Sequence, residues 1–319
     1  MARSKTSAGD WLFQKGTGLF ALVIVLIAVA IAVVLWERSL PSIEKFGLAF
    51  WSADLWDPVA GNFGARPFIW GTLYSSFIAL LMAAPLALGI AIFLSELCPH
   101  RLRQPLVFLT ELLAAIPSIV YGLWGIFVLV PGIRTFESAL PEWLRATPFF
   151  HGPPLGVGMF SAAVVLAIMI VPFSSAVARE VLKAVPAAQR EGAYALGATR
   201  WEATKVALYY TRVGIVGAIM LGLGRALGET MAVTMVIGNT PQVSLSLMAP
   251  QYTMAAVMAN EFPEATSTLH ISALVEIGLV LFVVTLGVNM LSRLLIWNMT
   301  RRRVERVIVA PLVPEEKSA

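Results

Sequence analysis

Long unbroken apolar stretches, separated by short segments rich in charge, glycine and proline, set the rhythm of this chain. Six stand out, at residues 18–36, 69–94, 106–130, 157–177, 213–237 and 271–297. At about 20 residues or more, each can cross a hydrocarbon layer at a rise of about 1.5 Å per residue. Backbone N–H and C=O groups find no water inside lipid, so each run is expected to be helical. The pattern predicts an all-α polytopic membrane protein with six transmembrane helices.

The first run follows a basic start (Arg3, Lys5, Lys15) and holds an Ala-x-Ala triplet at 28–30, as a cleaved secretory signal would. It continues past the triplet to Trp36, however, longer than the roughly 7–15 residues of a signal's apolar core. An uncleaved anchor is expected. With the N-terminus placed in the cytoplasm, 17 of the 23 Lys and Arg fall on cytoplasmic segments, five on the opposite side, and Arg225 inside a span. Positive charge gathers on the cytoplasmic side, so both termini are expected there. The organisation is then a cytoplasmic tail over 1–17, an anchor helix over 18–36, a five-helix core over 69–297 and a cytoplasmic tail over 298–319. The core carries one long cytoplasmic loop at 179–212. Trp51, Trp56 and Trp70 around the first external loop read as an interfacial aromatic belt. The acidic segment 240–270, free of Lys and Arg, is a candidate docking surface.

Composition agrees with the spans. Hydrophobic residues make up 58% of the chain and charged ones 13%, against about 45–50% and about 25% in soluble domains. The basic residues sit between apolar runs without aromatic interleaving, so they read as topology determinants in contact with membrane lipid and not as a nucleic-acid site. The one cysteine, Cys98, allows neither an internal disulfide nor a thiolate metal cluster, and it reads as packing. His100, His151 and His270 are scattered, and no nucleophile–base set accompanies them. No G-x-x-x-x-G-K-[ST] occurs, so the chain cannot itself cradle ATP phosphates. A catalytic role for this chain alone is not expected, and no metal or cofactor site is read in it.

Charges inside the apolar runs are the sharpest signal. Arg225 and Glu229 lie in the fifth run, four residues apart, so on one helix they would share a face and touch. Glu111 falls in the third run and Glu276 in the sixth. A charge at mid-bilayer costs about 2.5–3.5 kcal/mol on the mildest scale, so such groups face protein or a water-filled path. Two readings of Arg225 stay open: neutralising Glu229 between helices, or offering a forked cationic donor to an anion in transit, with Glu229 keeping the hold loose. Glu276 and Glu111 read equally well as hydrogen-bonded helix contacts. Gly222, Gly224 and Gly228 lack the spacing of a dinucleotide fingerprint, and Gly224-x-x-x-Gly228 reads instead as a small-residue pair for close helix approach.

The 179–212 loop holds Val-Pro-Ala-Ala-Gln-Arg-Glu-Gly-Ala-Tyr-Ala-Leu-Gly-Ala-Thr-Arg-Trp over 185–201. Pro186 suits the first turn of a short helix and Gly197 its left-handed end, giving a bent helical pair with a glycine elbow. Glu191, Gly192, Ala193, Gly197, Thr199 and Trp201 mark the segment. It resembles the coupling loop of ABC importer permeases, E-A-A followed three residues later by G; Gly192 replaces the middle residue, and Tyr209 stands where the pattern's later proline falls. A longer match, carried by 41–50, 112–122, 221–233, 238–240 and 259–262, makes the chain similar to PstC-type permease subunits of phosphate importers.

That resemblance implies the type I ABC importer permease fold, five core helices preceded by an extra first helix. It implies a second, PstA-like permease, a homodimeric PstB-like ATPase that binds ATP and Mg²⁺ and grips the coupling loop, and a periplasmic PstS-like phosphate-binding protein. The setting implied is the bacterial inner membrane. The Arg and Glu on which the family places functional weight in the fifth span match Arg225 and Glu229. Pro117 is positioned to break the third span, and Ser118 to line the pathway there. Rival readings are a permease for another oxyanion or solute and a secondary transporter; inverted repeats, frequent in secondary carriers, are not evident.

Overall fold

A computed structural model of the chain describes residues 8–308. Arg3, Lys5 and Lys317, counted above for orientation, lie outside the described residues, as do the side chains of Arg302, Arg303 and Arg306. Among the described residues are twelve helices and no β-strand: α1 (Ala8–Phe46), α2 (Arg66–Ile92), α3 (His100–Ala115), α4 (Ser118–Trp124), α5 (Val130–Ala139), α6 (Glu142–Arg145), α7 (Met159–Lys183), α8 (Ala187–Ala195), α9 (Arg200–Leu227), α10 (Met231–Val236), α11 (Met254–Glu261) and α12 (Thr268–Ile308). Six helical stretches are long and apolar enough to cross a membrane: Leu12–Trp51, Arg66–Leu97, Ser118–Ala139, Met159–Lys183, Arg200–Leu227 and Thr268–Arg301.

Two of the six apolar runs are divided in the structure. The third, expected over 106–130, stops at Ala115 because Pro117 holds extended backbone (φ −58°, ψ 141°) and the residue before a proline avoids the helical region. The spanning helix is the next one, from Ser118 through a π-helical turn at Gly125–Leu129 to Ala139. The fifth, expected over 213–237, ends at Leu227 and restarts as α10.

α2 and α7 form the centre. Ala79 and Ala83 of α2 share one core cluster with Ala162, Val165 and Ile170 of α7 and with Ala226 of α9. Ala91 joins a second cluster with Ala178 and Leu182 of α7 and Ile215 and Ala218 of α9. Small side chains let these backbones approach, which is the main attraction between helices where lipid removes the hydrophobic drive. At one end of the bundle, the loop between α10 and α11 closes over this core. The carbonyl of Val236, which ends α10, and the loop carbonyls of Ala249 and Leu247 accept from the N–H groups of Gly158, Met159 and Phe160, donors that the start of α7 would otherwise leave unpaired. A Cβ at Gly71 would strike the Tyr252 carbonyl, so α2 tolerates only glycine where the loop crosses it.

The first loop folds onto the same end. Trp56 is buried and donates from Nε1 to Glu261 Oε2 at 2.8 Å, and His270 Nε2 lies 3.1 Å from the same oxygen. Trp70 donates to the Ser244 carbonyl at 2.9 Å. Trp56 is thus packed inside the protein, against the interfacial-belt expectation, and Trp70 is partly buried; the indole N–H groups of both fasten loops together.

α1 meets α12 through an inserted hydroxyl. Pro41 lies inside α1, and just past it the Ser42 N–H donates to Ser272 Oγ of α12 (3.1 Å) while Ser272 Oγ donates to the Arg38 carbonyl (3.0 Å). The α12 hydroxyl replaces the i→i−4 bond that the bend opens. Glu276, one turn further along α12, is buried beside Ser42. Ser272→Ala is expected to lower stability by about 1–2 kcal/mol, since it orphans two backbone groups, with the thermal midpoint in detergent as the measure. An unchanged midpoint would show that the bend is satisfied some other way.

Candidate functional site

The break in the fifth run decides the electrostatics of the site. Gly228 follows the last residue of α9, and Arg225 lies in the final turn of that helix. Glu229 sits before α10, its Oε1 accepting from the Ala232 N–H at 3.4 Å. Arg225 and Glu229 are thus not on one continuous helical face, and among the described residues no ion pair joins them. The expectation that they touch is corrected. Each charge has instead a helix end of complementary sign: the C-terminal end of α9 for the guanidinium, the N-terminal end of α10 for the carboxylate. Such placement stabilises a charge by about 0.3–1 kcal/mol.

Arg225 is exposed on the surface of this chain. Its guanidinium lies over the Phe173 ring of α7, 5.9 Å from the centroid, and acts electrostatically on the Tyr121 hydroxyl of α4. Tyr121 is held by donating to the Leu113 carbonyl at 2.7 Å, across the break at Pro117. Ser118 opens α4, one turn before Tyr121, and is partly buried. The site therefore gathers the ends of two interrupted spans around a cation with an aromatic wall on one side. Phe173 and Tyr121 carried no signal in the sequence, because aromatic residues in an apolar run look like ordinary lipid or core contacts.

The glycine reading also changes. A Cβ at Gly224 would reach only Asn289 Oδ1, at 3.8 Å, and one at Gly228 would meet nothing within 4 Å. Gly222 and Gly214 are the close approaches: a Cβ at Gly222 would collide with Ser174 Oγ and lie 2.7 Å from Ile170 Cγ2, and one at Gly214 would lie 2.5 Å from Val181 Cγ1. These two glycines seat α9 on α7 below Arg225. Glu111, expected within a span, is an exposed α3 residue 3.1 Å from Arg179 at the far end of α7.

At that far end stands the loop segment. α8 follows Pro186 and buries none of its own residues. Gly197, with φ +82°, makes the elbow, and its conformation is one that a side chain disfavours. Thr199 then opens α9 in a capping box with Glu202: the Thr199 N–H donates to Glu202 Oε2 (2.8 Å) and the Glu202 N–H to Thr199 Oγ1 (3.4 Å). The second arm of the bent pair is therefore the start of α9 itself, not a separate short helix. Trp201 and Arg225 share this one helix, about 36 Å apart along its axis. Glu191 and Gly192 are exposed, Ala193 is partly buried, and Tyr194, Leu196 (90% exposed) and Trp201 present apolar surface around the elbow.

A model of the family described as binding-protein-dependent transport system inner membrane component matches residues 87–302. The chain is 49% identical over 298 residues to the phosphate transport system permease protein PstC of Haemophilus influenzae, which covers 92% of this chain and 94% of the relative. It is 44% identical over 299 residues to the protein of the same name from Mesorhizobium japonicum, covering 92% and 91%. A probable PstC of Methanocaldococcus jannaschii is 40% identical over 262 residues, 80% of this chain and 83% of the relative. Among solved structures, the MetNI methionine ABC transporter in an inward facing conformation has a chain that superposes with a TM-score of 0.55 at 16% identity, covering 72% of this chain and 94% of that one. That likeness shows the fold: a type I ABC importer permease.

Gly222→Ala is expected to destabilise the protein by about 1–3 kcal/mol through overpacking against α7. Adding Ser174→Ala, which removes the nearest atom, should recover part of the loss in thermal unfolding. Gly224→Ala and Gly228→Ala should cost far less than Gly222→Ala. Equal losses at all three positions would contradict this seating.

Proposed function

The chain belongs to the binding-protein-dependent transport system inner membrane components, and on that premise we propose that it is the PstC-type permease of an ATP-driven phosphate importer. Its partners in this reading are a PstA-like second permease, a pair of PstB-like ATPase subunits and a PstS-like binding protein on the outer side. ATP and Mg²⁺ act on the ATPase. This chain supplies the path and the lever.

One observation carries the reading: a guanidinium with no carboxylate partner among the described residues, in a membrane-spanning helix of a chain whose relatives are phosphate transport permeases. A bare cation facing lipid is costly, so the exposed face of α9 at Arg225 belongs against a second subunit with water between them. Phosphate entering that water meets a planar, permanently charged fork suited to its oxygens. The negative end of the α9 dipole and the nearby Glu229 oppose the anion and keep the encounter brief. At the other end of α9, the apolar surface of Tyr194, Leu196 and Trp201 is suited to a socket on the ATPase. Closing of the ATPase pair on ATP pushes this surface, and α9 carries the push to Arg225, alternating the side to which the site opens. Both termini lie in the cytoplasm in this arrangement.

Arg225→Ala in the assembled complex is expected to lower phosphate uptake by about tenfold or more, the worth of a charge-assisted hydrogen bond of about 1.5–3 kcal/mol. Arg225→Lys keeps the charge and loses the fork, so its uptake should fall between the two. Wild-type uptake by the Ala complex would end the site assignment. For orientation, Val59 (98% exposed) and Leu196 (90% exposed) lie at opposite ends of the bundle. With Cys98 replaced by serine, a membrane-impermeant maleimide should label Val59→Cys from outside and Leu196→Cys only after permeabilisation; the reverse pattern would invert the topology.

A further inference from the structure

α8 packs against the start of α9 across the Gly197 elbow, and one of its side chains ties it to the ends of two membrane helices. Arg190 donates from Nη2 and Nε to the two carboxylate oxygens of Glu96 at 2.6 and 3.2 Å, a forked pair on the π-helical turn Phe93–Leu97 that ends the second span. The same guanidinium donates from Nη2 to the Leu182 carbonyl in the last turn of α7 (2.9 Å) and from Nη1 to the Val185 carbonyl in the link to α8 (3.0 Å). Four hydrogen bonds from one planar group thus join the end of α2, the end of α7 and the middle of α8. Only arginine has the donors and the fixed geometry for this. The pair is largely screened from water, with side-chain exposures of 22% for Arg190 and 13% for Glu96, so it is worth more than a surface ion pair.

The socket is itself braced. Arg103 Nη2 donates to the Ser95 carbonyl at 3.2 Å, fixing the turn that carries Glu96. α8, by contrast, otherwise rests only on the start of α9 among the described elements. It buries none of its residues, and backbone joints flank it at Pro186 on one side and at the Gly197 elbow on the other. Without the guanidinium, a force applied to α8 would swing it about these joints and leave α2 and α7 behind.

We propose that Arg190 is a positioning residue that rivets α8 to the ends of α2 and α7 through Glu96 and the Leu182 carbonyl, so that displacement of α8 moves the helix pair on which the Arg225 helix is seated. This rests on the transport reading above and adds the means by which force enters the helix core. The rivet acts through coupling: it contacts neither the transported ion nor the nucleotide.

The test uses the full complex in proteoliposomes, comparing wild type with Glu96→Ala and Glu96→Gln. Basal ATP hydrolysis and copurification of all subunits should persist, since Glu96 lies outside the α8 surface offered to the ATPase. Stimulation of ATP hydrolysis by phosphate-loaded binding protein, and phosphate moved per ATP, should both fall about fivefold or more in Glu96→Ala, the range of an ordinary coupling energy. Glu96→Gln, which keeps one acceptor oxygen, should fall less. Wild-type stimulation and stoichiometry in both variants would overturn the proposal, as would loss of basal hydrolysis and transport in equal proportion. Should Glu96→Ala fail to assemble, Glu96→Gln decides by the same two readouts. A wild-type complex that moved no phosphate would overturn the substrate assignment, whereas unchanged readouts in both Glu96 variants of a complex that does move phosphate would overturn the rivet alone.

Discussion

Close approach of α2 and α7 is the constraint from which the rest of the molecule follows. In lipid, apolar side chains gain nothing by leaving their surroundings, so helices hold together by dense contact and by hydrogen bonds. The alanines at 79, 83 and 91 on α2, with Ala162 and Ala178 on α7, provide such contact along the length of both helices. Everything with a chemical role hangs from this pair. α9 sits on it through Gly214 and Gly222, the closing loop caps the start of α7, and α8 is fastened to its opposite end.

Interrupted helices then solve an electrostatic problem that continuous ones could not. A cation and an anion one turn apart on an unbroken helix would neutralise each other and leave nothing for a ligand. Ending α9 at Leu227 and restarting at Met231 gives each charge its own helix terminus. Arg225 is stabilised without its donors being consumed. The break before Ser118 does related work, freeing the Leu113 carbonyl to hold the Tyr121 hydroxyl near that cation. Both breaks lie partly open on this chain, with Pro117 and Gly228 exposed and Ser118 and Glu229 partly buried, so the cost of broken backbone inside a membrane falls to be met by a neighbouring surface or a water-filled path.

How much of this was legible in the sequence varies with the range of the interaction involved. Four of the six spans could be read from apolar run length alone, because a bilayer fixes that length, while the third and fifth were shifted along the chain. The elbow at Gly197 was legible too, since it depends on neighbours a few residues away, whereas the equally local capping box of Thr199 and Glu202 was not read. What could not be read were the pairings. Arg190 and Glu96 are 94 residues apart, and Ser272 is 230 residues from the backbone it completes. Trp56 looked like a lipid anchor because its partner Glu261 lies on the other side of four spans. The third span was misplaced for a different reason: 106–130 is largely apolar on both sides of Pro117, and the pattern alone could not say on which side the crossing helix begins. At the site, the spacing of Arg225 and Glu229 predicted a contact because it assumed that the helix continued through Gly228, and a lone glycine in an apolar run does not announce whether it ends a helix or packs one.

The contacts around α8 form a closed circuit. The Gly197 elbow joins α8 to α9; α9 is seated on α7 at Gly222; and α7 returns to α8 through the Arg190 bond to the Leu182 carbonyl. An open chain of helices pushed at one end dissipates the push at its weakest joint, whereas a closed circuit of three members can move only as a unit or break a contact. Glycine makes the elbow the softest of the three joints, so the other two determine whether the circuit is rigid. One of them is a van der Waals contact with no room for a methyl group, the other a four-bond guanidinium. Neither alone would carry a load over the roughly 36 Å between Trp201 and Arg225. In the proposed mechanism, the two together convert a local push on an exposed helix into displacement of the cation at the far end of α9.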